Sequence, residues 1–176
     1  MLRSIRRLAS DRGGNAIVDF AFLLPIMLML FTGVVEITNL LRLDRKVVAA
    51  AQTTADLITQ RREISAGEIT DILRAAELIL EPYSTVEHAV AIVAVRFDDD
   101  TGVPAIDWQQ SKNGGTLPDA LTLVQNMGTA GDGIIIVRVT YDYSPVFFDF
   151  VLGQTSLEET AVLRPRRSAF VEGPAP

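Results

Sequence analysis

The side chains most able to do chemistry in this chain are few and scattered. His88 is the one histidine, with Glu87 beside it. An imidazole next to a carboxylate supplies two members of a nucleophile–base–acid triad, which then needs an activated serine. No serine sits in a Gly-x-Ser-x-Gly elbow. Asp98, Asp99 and Asp100, with Gly102 close behind, gather carboxylates in a way that suggests calcium. A calcium ion takes about six to eight oxygens, and a helix–loop–helix site supplies them from spaced acids and a late glutamate. Only the cluster and the glycine are present, so a solvated hairpin turn is the expected reading. There is no cysteine, which removes disulfides, thiolate nucleophiles and thiolate metal sites. Neither a Gly-rich phosphate loop nor a metal-ligand spacing occurs. The expectation is a protein that is not an enzyme and uses no cofactor or metal.

A different residue asks for an explanation. Asp19 stands near the start of a long apolar run, where a carboxylate is expensive. Residues 20–35 carry no charge over sixteen positions, roughly 24 Å of helix at about 1.5 Å per residue. Taking in residues 15–36 gives twenty-two positions and roughly 33 Å, enough to cross a hydrocarbon core of about 30 Å. Pro25 lies inside this span, where it removes one backbone hydrogen bond and bends or locally opens a helix. Membrane helices tolerate proline when neighbours satisfy the freed group. It is either merely tolerated or a kink that helps the helix pack into a bundle.

Charge is divided unevenly along the chain. Residues 1–14 hold four arginines and one aspartate, whereas residues 36–176 hold twelve basic and twenty acidic side chains. Basic flanks tend to remain on the cytoplasmic side, so the expected orientation is N-terminus in, body out. The acidic body does not suit nucleic acid. A secretory signal peptide shares the basic and apolar regions, but no Ala-x-Ala-like site closes this run. Periodicity also continues beyond it. Ile37, Leu40, Leu41, Val47, Val48, Ala51, Ala55 and Ile58 recur at three- and four-residue steps, predicting one helix over residues 15–62.

The remaining elements read as an outer domain. Ser65 and Glu68 form a capping-box pattern, and apolar residues from Ile69 to Leu80 predict a second helix stopped by Pro82. Residues 88–97 and 103–108 predict a hairpin around the aspartate turn, with Trp108 half-buried. Residues 111–118 read as a polar loop and 120–124 as a short helix. Residues 134–143 and 155–163 predict two further strands. Phe147, Phe148 and Phe150 follow Pro145 and form a candidate exposed surface for a partner or membrane, or else pack beneath a loop. The fold class is α+β: a long N-terminal transmembrane and amphipathic helix, a second helix and a small antiparallel sheet. The expected organisation is a basic leader (1–14), the long helix (15–62), an extracytoplasmic α+β domain (63–170) and a flexible tail (171–176).

The run Gly14-Asn15-Ala16-Ile17-Val18-Asp19-Phe20-Ala21, followed by Leu23-Leu24-Pro25, resembles the start of the TadE/TadG-like pseudopilins of the tight-adherence (Flp) pilus system. In that family a short basic leader ends in glycine, an acid follows at the fifth mature residue, and a Leu-Pro step comes soon after. The family's acid is glutamate; here it is aspartate, one methylene shorter. Residues 137–145 resemble the family's last long strand. The body is short, as in the TadE-like type.

The resemblance implies that this chain is a substrate rather than a catalyst. A prepilin peptidase would cut after Gly14 on the cytoplasmic side, leaving an ammonium on Asn15. Cutting after Gly13 is the alternative, but it would move Asp19 to the sixth mature position. Asp19 would then pair with the Asn15 ammonium of a neighbouring subunit and favour one axial register, or else lie at the interface against headgroups or Arg12. The implied partners are the peptidase, other pilins and pseudopilins, the assembly machinery and membrane lipid. The implied place is a bacterial inner membrane or the pilus itself, in a system serving adhesion, biofilm formation and secretion. The different-class alternative is an uncleaved single-pass binding or sensor protein; an exported enzyme centred on His88 is the third.

Overall fold

The structure is a computed structural model and describes residues 13–83, 87–145 and 153–174. Its spine is helix α1, Gly13–Thr59, 47 residues without a break. Nothing in this stretch except Pro25 forbids a helix, and Pro25 lies inside α1 without ending it. Thr32 and Thr38 turn their hydroxyls back onto the carbonyls of Leu28 (2.9 Å) and Val34 (2.7 Å), so neither needs an outside partner.

The two halves of α1 meet different surroundings. From Ile17 to Phe31 its large apolar side chains are exposed. Farther along, Leu43, Val47, Ala50, Ala51, Ala55 and Ile58 are fully buried, at three- and four-residue steps. Ile37 and Leu41, in step with the same helical periodicity, lie outside this core: they are 56% and 53% exposed. They face away from the sheet and continue the exposed apolar surface of the first half. The helix stops at Thr59, three residues short of the expected end. The amide of Arg61 donates to the carbonyl of Ile58 (3.0 Å), and Ile64 already joins the C-terminal segment.

Helix α2, Ala66–Leu80, begins on the expected capping box: Ser65 accepts from the Glu68 amide, and Glu68 accepts from the Ser65 amide. Its buried face, Ile69, Ile72, Leu73, Ala76 and Leu80, joins the second half of α1 in one core. Strands β1 (His88–Phe97), β2 (Pro104–Lys112), β3 (Gly133–Tyr143) and β4 (Thr155–Leu163) form an antiparallel sheet of order β2-β1-β3-β4. The α+β arrangement expected from sequence is therefore present. Strand β2 runs to Lys112 and takes in residues read as loop, because Val90 pairs with Lys112 and Ala91 with Ser111.

The sheet is covered on both faces. Val90, Ile92, Ala94, Ile135, Val137 and Val139 meet the helices. Ala91, Val93, Val95, Ile134 and Ile136 meet Leu117 and the short helix α3, Ala120–Val124. A strand buried on both sides has no polar face to alternate, which is why β1 and the first half of β3, Ile134 to Val137, read as continuous apolar runs.

The expected flexible tail is held down over its first three residues, Val171 to Gly173. Val171 is buried, and the amides of Ile64 and Glu172 donate to the carbonyls of Glu172 (3.0 Å) and Arg62 (2.9 Å). Trp108, half-buried as expected, donates its indole N–H to the Val171 carbonyl at 2.9 Å. Gly173 passes so close to that ring that a Cβ would lie 2.4 Å from it. The C-terminal segment thereby straps the α1–α2 link to the sheet.

Ile92 sits in a central strand with no exposure. Ile92→Ala should lower unfolding stability by about 2–5 kcal/mol, read from urea unfolding of the full chain in detergent micelles. Leu123→Ala, at a surface position of α3, should stay within about 0.5 kcal/mol.

Candidate functional site

The first turns of α1 hold the residues expected to direct processing. Gly13, Gly14 and Asn15 lie within the helix, and Asp19 is exposed one turn beyond Asn15. No ion pair engages Asp19 among the described residues. The arginine leader before Gly13 lies outside the described residues, as do Phe147, Phe148 and Phe150. One helix among the described residues is long and apolar enough to cross a membrane, and its most apolar stretch has none of its residues buried in the protein. That exposure separates it from the core helix of a water-soluble domain, whose apolar face is covered.

The apolar half of α1 ends on a charge that the fold conceals. Glu36 is 1% exposed, and Tyr143, at the end of β3, donates its hydroxyl proton to Glu36 Oε1. Burial first, and the Glu36 carboxylate second, push the Tyr143 phenol well above its ordinary range. A carboxylate taken out of water costs several kcal/mol unless hydrogen bonds replace its hydration. Tyr143 supplies one such bond from 107 positions away in the chain.

Two further tyrosines complete a collar around α1 at this level. Tyr83 donates to the Asn39 carbonyl at 3.4 Å, a long contact, and Tyr141 donates to Glu87 Oε2 at 3.2 Å. Lys46 reaches across to the last turn of α2, where its ammonium donates to the carbonyls of Ile79 and Glu81, both at 2.8 Å. A cation at a helix C-terminus meets carbonyls that have no intrahelical partner. Sequence reading passed over this collar. Its one local signal was an acid closing an apolar run; the tyrosines that answer it come from distant strands and a loop.

The residues weighed for catalysis are placed otherwise. The His88 side chain is fully buried, with Nε2 3.8 Å from Glu77 Oε1. Lys112 takes that same carboxylate oxygen at 2.5 Å. The His88 ring has no exposed face. Asp98 spends its Oδ1 on the turn, accepting from the amide of Thr101 at 2.8 Å, its hydroxyl at 2.8 Å and the amide of Asp100 at 3.2 Å. Asp99 pairs with Arg96 at 3.1 Å. Gly102 closes the turn in the left-handed region, at φ 67°.

Residues 14–56 match the family model described as TadE-like protein. The matched stretch is about a quarter of the chain. It takes in the exposed apolar half of α1, Glu36 and most of the buried half, and it stops before α2. No curated protein and no solved structure matches this chain. The TadE-like stretch suggests a component associated with the tight-adherence pilus.

Tyr143→Phe strips a hydrogen bond from a buried carboxylate and should cost about 1–3 kcal/mol in urea unfolding. The raised phenol value means that Tyr143 contributes fully below pH about 10, where a free phenol ionises, and that the contribution is lost as pH rises through the folded-state value. Ultraviolet titration should show a late-ionising tyrosine component in the native protein that is diminished in Tyr143→Phe.

Proposed function

We propose that this chain is a minor pseudopilin, a structural and assembly component of a tight-adherence pilus, and that it catalyses no reaction. The observation that carries the reading is α1 itself. The helix matched as TadE-like is bare and apolar over one half and forms the spine of a folded domain over the other. Such an element ties a membrane or a filament core rigidly to an outer domain.

In this reading the N-terminus faces the cytoplasm and the domain lies outside it, as the arginine leader favours. A prepilin peptidase cuts after Gly14, where the absence of a Cβ lets the backbone lie close in a protease cleft. Cleavage frees the Asn15 ammonium. The exposed Asp19 carboxylate, one turn away, then pairs with the ammonium of a neighbouring subunit. Between apolar helices that pairing rewards one axial register over the next, because every other register leaves both charges without a partner.

Mass spectrometry of the N-terminus, on protein made with and without its prepilin peptidase, tests the proposal. A chain that begins at Asn15 only when the peptidase is present is the expected result, and Gly14→Leu should block the cut. An intact N-terminus in both preparations would mean an uncleaved single-pass anchor. A start beyond residue 35 would mean an ordinary secreted protein.

A further inference from the structure

Beside the tyrosine collar lies an open groove of about 670 Å³, lined by α1, the Pro82–Tyr83 turn and the end of β3. Asn39, Arg42, Arg45 and Lys46 of α1 form one wall, at three- and four-residue steps that share a helix face. Lys46 is already committed to the carbonyls of α2. Arg42 and Arg45 are both exposed, and neither makes an ion pair or hydrogen bond among the described residues. The opposite wall holds Tyr141, Tyr143 and Glu87, whose carboxylate is turned onto the Tyr141 hydroxyl. Two uncommitted guanidiniums thus stand over an aromatic wall.

We infer that this groove holds the phosphate headgroup of an anionic phospholipid, from the leaflet on the side of the folded domain. The inference rests on the reading of α1 as a membrane anchor. If the apolar layer ends at Glu36, Arg42 and Arg45 stand about 9 and 14 Å farther along the axis. Side chains on a helix lean back toward its N-terminus, which here brings both guanidiniums down toward the headgroup layer of about 5–8 Å. Guanidinium forks match phosphate oxygens in geometry as well as charge. The acyl chains also have a path: exposed Val34, Ile37 and Leu41 lead to Arg45 at three- and four-residue steps. This continuity explains why Ile37 and Leu41 remain apolar although the core does not use them. A soluble anion would have no use for that stripe.

The test uses the full chain in detergent micelles, offered phosphatidylglycerol, phosphatidylcholine or inorganic phosphate, with bound molecules counted by native mass spectrometry. The native protein should retain phosphatidylglycerol in preference to phosphatidylcholine and show no comparable binding of inorganic phosphate. Combining Arg42→Ala with Arg45→Ala should weaken phosphatidylglycerol retention by about thirtyfold, two basic side chains at the increment each contributes near an anionic surface. Both positions are exposed, so the unfolding midpoint should not move, and Arg42→Lys with Arg45→Lys, which keeps the charges but loses the forks, should restore only part of the retention. Equal retention by native and double-alanine protein, or phosphate binding as tight as lipid binding, would overturn the inference. Carbonate extraction of membranes separates this from failure of the anchor reading. Release of the native protein by carbonate removes the anchor and the inference with it. A carbonate-resistant native protein with unchanged lipid retention removes the inference alone.

Discussion

The architecture depends on one helix serving two surroundings. An α-helix satisfies its own backbone along its interior, so it can pass from an exposed apolar stretch into a protein core without a break. Only its side chains need to change, and in α1 they change at Glu36. From Ile17 to Phe31 the large apolar residues are exposed among the described residues; from Leu43 on the buried stripe carries both α2 and the sheet. The Glu36–Tyr143 contact marks the transition and ties the helix to the far end of β3. A buried carboxylate is a poor source of stability in itself, and an apolar pair of similar size could hold as well. What the contact adds is position. It fixes which turn of α1 meets the end of the sheet, and so how far the domain stands from the apolar segment.

Packing around the second half of α1 follows from residue size. Ala50, Ala51 and Ala55 keep the helix thin where it approaches the sheet, and Ile58 and Val47 fill the space on either side. The C-terminal strap then closes the α1–α2 link, so that the last described residues help hold α1 to the domain.

Much of this was legible in the sequence because it is local. The charge-free run, the Ser65–Glu68 cap, the aspartate turn and the branched apolar strands each carry their signal within a few residues. For Ile37 and Leu41, periodicity identified an apolar helix face without saying what covers it. The end of β2 was hidden because Gln109, Gln110 and Ser111 are polar; they belong to an exposed edge strand whose register is set by β1. The strap and the tyrosine collar were not legible at all. Both depend on contacts between residues far apart in the chain, such as Trp108 with Val171 and Glu36 with Tyr143. The candidate site divides the same way: Gly14, Asp19 and Pro25 stand out locally, whereas the arginine groove exists only once β3 has returned to α1.

The central claim is that α1 is immersed in lipid up to about Glu36 and in protein beyond it. The absence of cysteine makes single-site labelling direct. Spin labels on Leu28→Cys and Leu123→Cys, in the full chain reconstituted into vesicles, would report depth through their relative collision with oxygen and with a water-soluble nickel complex. The account predicts that the label at 28 is oxygen-accessible and shielded from nickel, and that the label at 123 shows the reverse. Nickel reaching both labels equally would contradict it.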